Sequence, residues 1–254
     1  MPASKKEIIE ALNKKLEISS FHDLSNNGLQ VDSPRDPIAK VCSGVDGSLA
    51  FFKAAKEAGA DLVICHHGIS WGDSLKQITG SNYRLVSYLI ENKMALWACH
   101  LPIDAHPILG NNAQICDTLK LVSRKPFGEY HGQSIGFSGS LEKPLSRTAF
   151  QELLKSKISP NLNAHLFGNE EIKTVGVISG GAPELVAEAI DKGLDCYITG
   201  EANLISYNLC QEGLMNMFAM GHYATERFGI RAVGDWLSNE LGIEHEFIDL
   251  DIPY

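Results

Sequence analysis

The sequence is poor in the features that mark several protein classes. It has no Cys-x-x-Cys pair, no basic run, few aromatic residues (8%) and no apolar stretch long enough to span a bilayer. Lys and Arg number 22 against 31 Asp and Glu, a formal net charge of −9. Nucleic-acid binding draws its affinity mainly from basic side chains on phosphates, so this balance argues against it. The stretch from Met1 to Glu10 is polar, carries Lys5 and Lys6, and lacks the apolar centre of a secretory signal. A cytoplasmic location is the expectation, with no membrane and no nucleic-acid partner.

Six cysteines are present: Cys42, Cys65, Cys99, Cys116, Cys196 and Cys210. Several sit in apolar, strand-like runs, which reads as reduced core thiols rather than a disulfide framework. Cys65 and Cys99 each precede a histidine, close to any metal held there, but small core residues on strands are the commoner use of such positions.

What is present is an ordinary globular composition, 44% hydrophobic and 21% charged, over 254 residues. That suits one large or two small α/β domains. Apolar spacing predicts helices over Lys5–Leu16, Leu49–Ala58, Tyr83–Asn92, Asn111–Leu119, Ser146–Lys155 and Pro183–Lys192. Strands are predicted at Val41–Val45, Leu62–Cys65, Ala95–Cys99, Ile135–Leu141, Ala164–Phe167, Val175–Ser179 and Cys196–Thr199. A turn at Asn26-Asn27-Gly28 leads into a further short strand. The Gly-, Pro- and charge-rich segment from Ser123 to Gln133 reads as a connection between halves.

Two strand–helix–strand units superimpose in sequence. One constant offset pairs Gly47 with Gly181, Ala55 with Ala189, Gly59 with Gly193 and Asp61 with Asp195, and brings His67 onto Glu201. The expected architecture is therefore α/β, two similar α/β halves with mixed sheets and a metal site between them. The halves are 1–122, carrying His66, His67 and Asp104, and 123–254, carrying Glu201, His222 and Glu226. In such sheets ligands collect beyond the carboxyl ends of the strands.

Five residues stand out there: His66, His67, Asp104, His222 and Glu226. Side chains of consecutive strand residues diverge, but past a strand end, in a loop closed by Gly68, His66 and His67 can reach two different ions. His222 and Glu226 are four apart and share a face if Gly221 opens a helix. Imidazole with carboxylate suits Zn, Fe, Mn, Co or Ni. Five donors exceed what one open site needs and suit two ions bridged by a carboxylate. Singly, each has a plainer reading: an accidental pair, a solvated helical pair, a capped turn. His100 and Glu201 lie at the same edges and are the candidate catalytic or ligand-orienting residues. Ser179-Gly180-Gly181 ends a strand before a helix, where amides can hold an anion. His22, His106, His131, His165 and His245 carry no spacing signal and read as structural or exposed.

Cys65-His66-His67-Gly68, His100-Leu101-Pro102-Ile103-Asp104, Gly110-Asn111-Asn112, Thr199-Gly200-Glu201 and Gly221-His222-Tyr223-Ala224-Thr225-Glu226 occur in this order, with Asn26-Asn27-Gly28-Leu29-Gln30 and Gly44-Val45-Asp46 before them. The set resembles the GTP cyclohydrolase 1 type 2 homolog family, also known as the NGG-interacting-factor-three-like proteins, over essentially the whole chain. The resemblance implies a toroidal homohexamer with a dinuclear metal centre facing its cavity. It implies His66, His67, Asp104, His222 and Glu226 as ligands. Longer relatives insert a domain in the middle, for which Ser123–Gln133 leaves no room. Relatives often place a histidine between the Thr-Gly-Glu and Gly-His motifs; this chain reads Ser206-Tyr207-Asn208, so no proton-transfer role carries over to that position.

Two readings of function follow. One is a dinuclear metal-dependent hydrolase, GTP cyclohydrolase type 2-like, acting on a small nucleotide-like or cyclic amidine or amide substrate. The other is a metal-binding hexameric scaffold or regulatory partner without turnover. A redox or metal-trafficking role is a third, resting on the six thiols.

Overall fold

The computed structural model describes residues 2–254. In chain order it contains α1 (Lys5–Lys15), β1 (Gly28–Val31), β2 (Lys40–Asp46), α2 (Leu49–Glu57), β3 (Leu62–His67), α3 (Gly80–Glu91), β4 (Ala95–Ala98), α4 (Leu101–Ala105) and α5 (Asn111–Thr118). There follow β5 (Val122–Tyr130), β6 (Gln133–Ser146), α6 (Arg147–Lys157), β7 (Asn163–Leu166), β8 (Glu171–Val177), α7 (Val186–Asp191), β9 (Cys196–Thr199), α8 (Leu204–Glu212), β10 (Asn216–Ala219), α9 (His222–Leu241) and β11 (Glu244–Phe247). The mixed α/β class expected from the sequence is the one found.

Two compact units result, and they are not consecutive halves of the chain. The first comprises Met1–Ile103 with Gly229–Asp251, the second Asp104–Phe228 with Ile252–Tyr254. The expected division at 122/123 differs in two ways: β11 pairs in parallel with β2 and so belongs with the first unit, and residues 104–122 join the second, where Ile115, Cys116, Leu119 and Leu121 enter its core.

The first unit holds a five-stranded sheet in the order β1-β4-β3-β2-β11, parallel except for β1. Strands β2, β3 and β4 are almost wholly buried, as strands covered on both faces must be, and their runs are continuously apolar for that reason. Helix α2 is capped by the Ser48 hydroxyl and lays Phe51, Phe52 and Ala55 on Cys42, Val63 and Cys65. Gly44 gives that packing its room, since a Cβ there would fall 2.5 Å from the Phe51 ring.

The second unit holds a six-stranded sheet, β5-β6-β8-β9-β10-β7, whose β8, β9 and β10 are parallel. Its core gathers Phe150 and Leu154 of α6 with Val175, Val177, Ile198 and Phe218 of the strands. The segment expected to be a connection, Ser123–Gln133, is instead mostly β5 and its turn into β6. Pro126 is tolerated because β5 is an edge strand with one unpaired side, and Gly128, at φ 76°, supplies a conformation other residues resist.

The internal repeat has a physical counterpart in each unit. Asp61, at the start of β3, accepts the amides of Ala39 and Lys40 at 2.8 and 3.2 Å, beside the start of the neighbouring parallel strand. Asp195, at the start of β9, accepts those of Lys173 and Thr174 at 3.1 and 2.8 Å in the same relation. Gly59 and Gly193, both at positive φ, end the preceding helices. Each aspartate satisfies two amides where a parallel strand begins. Replacing Asp61 or Asp195 by alanine leaves those donors poorly paired and is expected to cost about 1–3 kcal/mol. Hydrogen exchange reads this locally. Asp61→Ala should lower protection of Ala39 and Lys40, and Asp195→Ala that of Lys173 and Thr174, each leaving the other unit unchanged.

Candidate metal centre

In the first unit the carboxyl ends of three parallel strands converge. Strand β2 ends at Asp46, β3 at His67, and β4 is followed by Cys99 and His100. The histidine pair does not lie beyond β3 as expected. Both residues are inside it, because β2 runs on to Asp46 and pairs it with His67. Nor do the rings point apart: their centroids are 4.7 Å apart and tilted by 39°. The His100 ring lies 5.2 Å from that of His66 and 5.7 Å from that of His67. These three histidines form one group whose potential metal-donor atoms all lie within 4.8 Å of one another.

Each ring is fixed through Nδ1. That of His66, fully buried, donates to the Cys99 carbonyl at 3.1 Å. His67 Nδ1 donates to Asp46 at 2.8 Å, and His100 Nδ1 to Asp23 at 3.0 Å. A carbonyl or carboxylate oxygen only accepts, so Nδ1 carries the proton and Nε2 is the donor atom of each neutral ring. Metal-binding histidines are commonly oriented in this way. Asp23 also accepts the amides of Ser25 and Leu101 and the Asn27 side chain, at 2.9–3.0 Å. Burial would raise its pKa, but these bonds and His100 hold the carboxyl down to about 2. Gln30 Oε1 accepts the amides of Ile69 and Ser70, pinning the loop after His67, and Gly68 leaves room for it, since a Cβ there would lie 2.3 Å from that oxygen. Trp71 closes one side, its ring 5.0 Å from His100, edge to face.

The second unit repeats the placement. Strand β8 leads into Ser179-Gly180, β9 into Gly200-Glu201, and β10 into Gly221-His222. His222 opens α9 and shares a face with Glu226, Nε2 to Oε2 being 3.2 Å; its Nδ1 lies 2.6 Å from Glu201 Oε1. Asp104, 5% exposed, accepts the Asn111 amide at 2.8 Å and the Ser179 hydroxyl at 2.9 Å, both on Oδ1. Gly180 is indispensable to this packing. It sits at φ 67°, and a Cβ would fall 2.1 Å from Glu226 Oε1. Gly200 is similarly confined, since a Cβ there would lie 2.7 Å from the His222 Cα. The amides of Ser179 and Gly180 are taken by Asn112 Oδ1 and Thr225 Oγ1, so those two do not serve the anion-holding role the sequence suggested. Ser206 completes a capping box with Asn203, and Tyr207 packs on His165 and Phe167.

Sequence reasoning did not name Asp23, and it gave Asp46 no part in orienting a histidine and Asn111 and Ser179 none in holding Asp104. Asp46 and Asn111 lie in motifs that the family resemblance rests on, whereas Asp23 and Ser179 do not; the roles of all four depend on contacts across 7 to 77 residues. The cysteines stay apart from this chemistry. All six are buried, burial pushes Cys42 up to about 11 and Cys116 and Cys210 up to about 12, and no donor group among the described residues includes one.

The chain is thus an α/β protein with imidazole and carboxylate groups suited to a metal ion in its structure. The Duf34/NIF3 (NGG1p interacting factor 3) family model matches residues 3–252, and the chain belongs to that family. It is 40% identical to the GTP cyclohydrolase 1 type 2 homolog of Archaeoglobus fulgidus over 96% of this chain and 97% of that one. The Deinococcus radiodurans protein of the same name is 38% identical, over 96% and 92%. Among solved structures, protein ybgI superposes with a TM-score of 0.93 at 31% identity, covering 99% of this chain and 100% of that one.

Without metal, burial pulls His222 toward its neutral form, but Glu226 and Glu201 outweigh this and raise its pKa from 6.5 to about 9. A raised folded-state value means that protonated His222 stabilises the metal-free chain fully below about pH 6.5, and that this is lost as pH rises through about 9. The melting temperature of chelator-treated protein should therefore exceed that of His222→Gln most at pH 6 and converge on it by pH 10. A gap independent of pH would show that the Glu201–His222–Glu226 contacts carry no charge in solution.

Proposed function

We propose that the chain is a dinuclear metal-dependent hydrolase, GTP cyclohydrolase type 2-like, that opens a nucleotide-like ring or a cyclic amidine or amide. His66, His67, Asp104, His222 and Glu226 are the ligands of its two divalent ions. The observation that carries this reading is the uniform treatment of the histidines: His66, His67 and His222 each have Nδ1 against a backbone carbonyl or a carboxylate, the orientation that makes Nε2 the nitrogen to meet a metal. The mixed imidazole and carboxylate donors fit Zn, Fe, Mn, Co or Ni. Bound ions would supply Lewis acidity toward water and toward the bond under attack.

The protein's own groups supply the rest. Glu201 orients His222, and Asp46 orients His67. Asn111 and Ser179 fix Asp104. His100, steadied by Asp23 and flanked by Trp71, belongs to the reacting face, where the indole gives a planar substrate an apolar wall. The assembly we propose is a toroidal homohexamer in the cytoplasm. Exposed Leu204, Ile205 and Leu214 give the second unit apolar surface in keeping with self-association, and no described helix is long and apolar enough to cross a membrane.

Elemental analysis of protein purified without chelators should find about two ions per chain, and light scattering should find a six-chain particle. Screened against nucleotides and cyclic amides, the loaded protein should hydrolyse at least one. His66→Ala should lose metal and reduce that turnover by at least about a hundredfold. Full turnover in His66→Ala would overturn the catalytic reading. Stoichiometric metal, no turnover and a stable protein partner would replace it with the scaffold.

A further inference from the structure

We infer that His100 is itself a metal donor, and that His66, His67 and His100 form a three-imidazole site able to hold one divalent ion with no residue of the second unit. The inference rests on the metal-binding reading above and goes beyond it, since His100 is not among the five ligands given there.

Three independent features support it. The first is proximity: one ring nitrogen of each of these three residues lies within 4.8 Å of those of the other two. Three atoms so spaced share a point at most about 2.8 Å from each, and an inward shift of at most about 0.7 Å per ring reaches the ~2.1 Å of a metal–imidazole bond. The second is orientation. His100 Nδ1 donates to Asp23, so His100 offers Nε2, as His66 and His67 do. The third is what holds Asp23. Its side chain is 3% exposed and accepts the Ser25, Asn27 and Leu101 donors as well as His100. A buried carboxylate with four donors converging on it holds the imidazole in one tautomer and one direction, the arrangement that raises the basicity of a ligand histidine. His100 N is also tied to Asn27 Oδ1 at 2.9 Å, which fixes the ring's starting point.

The donor set defines the ion. Three neutral imidazoles on one side of a centre suit Zn, Co, Ni or Cu and disfavour Mg and Ca. They leave the remaining positions open to water or substrate. The first unit thus has a complete site of its own, and Asp23 is the positioning residue for its third ligand.

The test uses the full chain and Co²⁺, whose absorption reports ligand type and number. His222→Ala/Glu226→Ala removes donors of the second unit. The inference expects this protein to bind one Co²⁺ per chain, with X-ray absorption showing three histidine nitrogens. Adding His100→Gln should weaken that binding at least tenfold. Adding His100→Cys instead should retain tight binding and introduce a sulfur-to-cobalt charge-transfer band, which a merely structural role for His100 would not produce. Melting curves of the variants confirm that each is folded.

If the double variant binds no Co²⁺, or if His100→Gln binds it as tightly with an unchanged spectrum, the inference is overturned. These outcomes are separable from failure of the proposed function. Parent protein that binds two ions regardless of His100 keeps the dinuclear reading and sinks this one, whereas parent protein that binds none sinks both.

Discussion

An imidazole has two nitrogens, and fixing one decides what the other can do. Most of what is specific about this chain depends on that constraint. His66, His67, His100 and His222 each have Nδ1 against an oxygen that can only accept: the Cys99 carbonyl, Asp46, Asp23 and Glu201. Three of the acceptors come from strand ends and the loops after them, Asp23 comes from the segment before β1, and close packing holds them there. Gly68 admits Gln30, and Gly180 and Gly200 admit the first turn of α9. A larger residue at any of these glycines would displace an acceptor or a donor, and with it the direction of a ring.

The two units reach this arrangement by one structural idea. In each parallel strand–helix–strand element, an aspartate just before the second strand bridges two amides of the first strand's side, and the chemistry lies at the carboxyl edge. The anchoring end is held by hydrogen bonds to buried Asp61 and half-buried Asp195, and the functional end carries the groups able to change partners. This division accounts for the distribution of residue types along the strands: apolar residues within them, Asp at their starts, His and Glu at or just past their ends.

Much of this was legible in the sequence because it depends on local signals. The apolar runs of β2, β3 and β4 announce buried parallel strands, Ser48 and Ser146 announce helix starts, and the spacing of His222 and Glu226 gives their shared face on α9. The rest depends on distant partners. Strand β11 is charged and alternating, Glu244 and Glu246 pairing with Lys40, and nothing near it in sequence signals a partner some 200 residues away. Helix α8 exposes Leu204 and Ile205, which spoils its apolar periodicity. Strand β5 carries Gly and Pro that an edge position tolerates. The histidine pair was seen, but its close parallel setting was not, because the length of β2 decides how far β3 continues. Asp23 and Asp46 were visible as residues and silent as roles.

The return of β11 to the first sheet has a consequence for the order in which the protein is made. Residues 104–228 are contiguous and can acquire their own core while the ribosome is still working. The first sheet, begun by residues 28–31, stays open along β2 until residues 244–247 have emerged. During that interval the nascent chain exposes an unpaired, apolar parallel edge, the kind of surface that recruits chaperones or pairs wrongly with a neighbour. The first sheet is therefore closed only by a strand that follows the whole of the second unit's main segment.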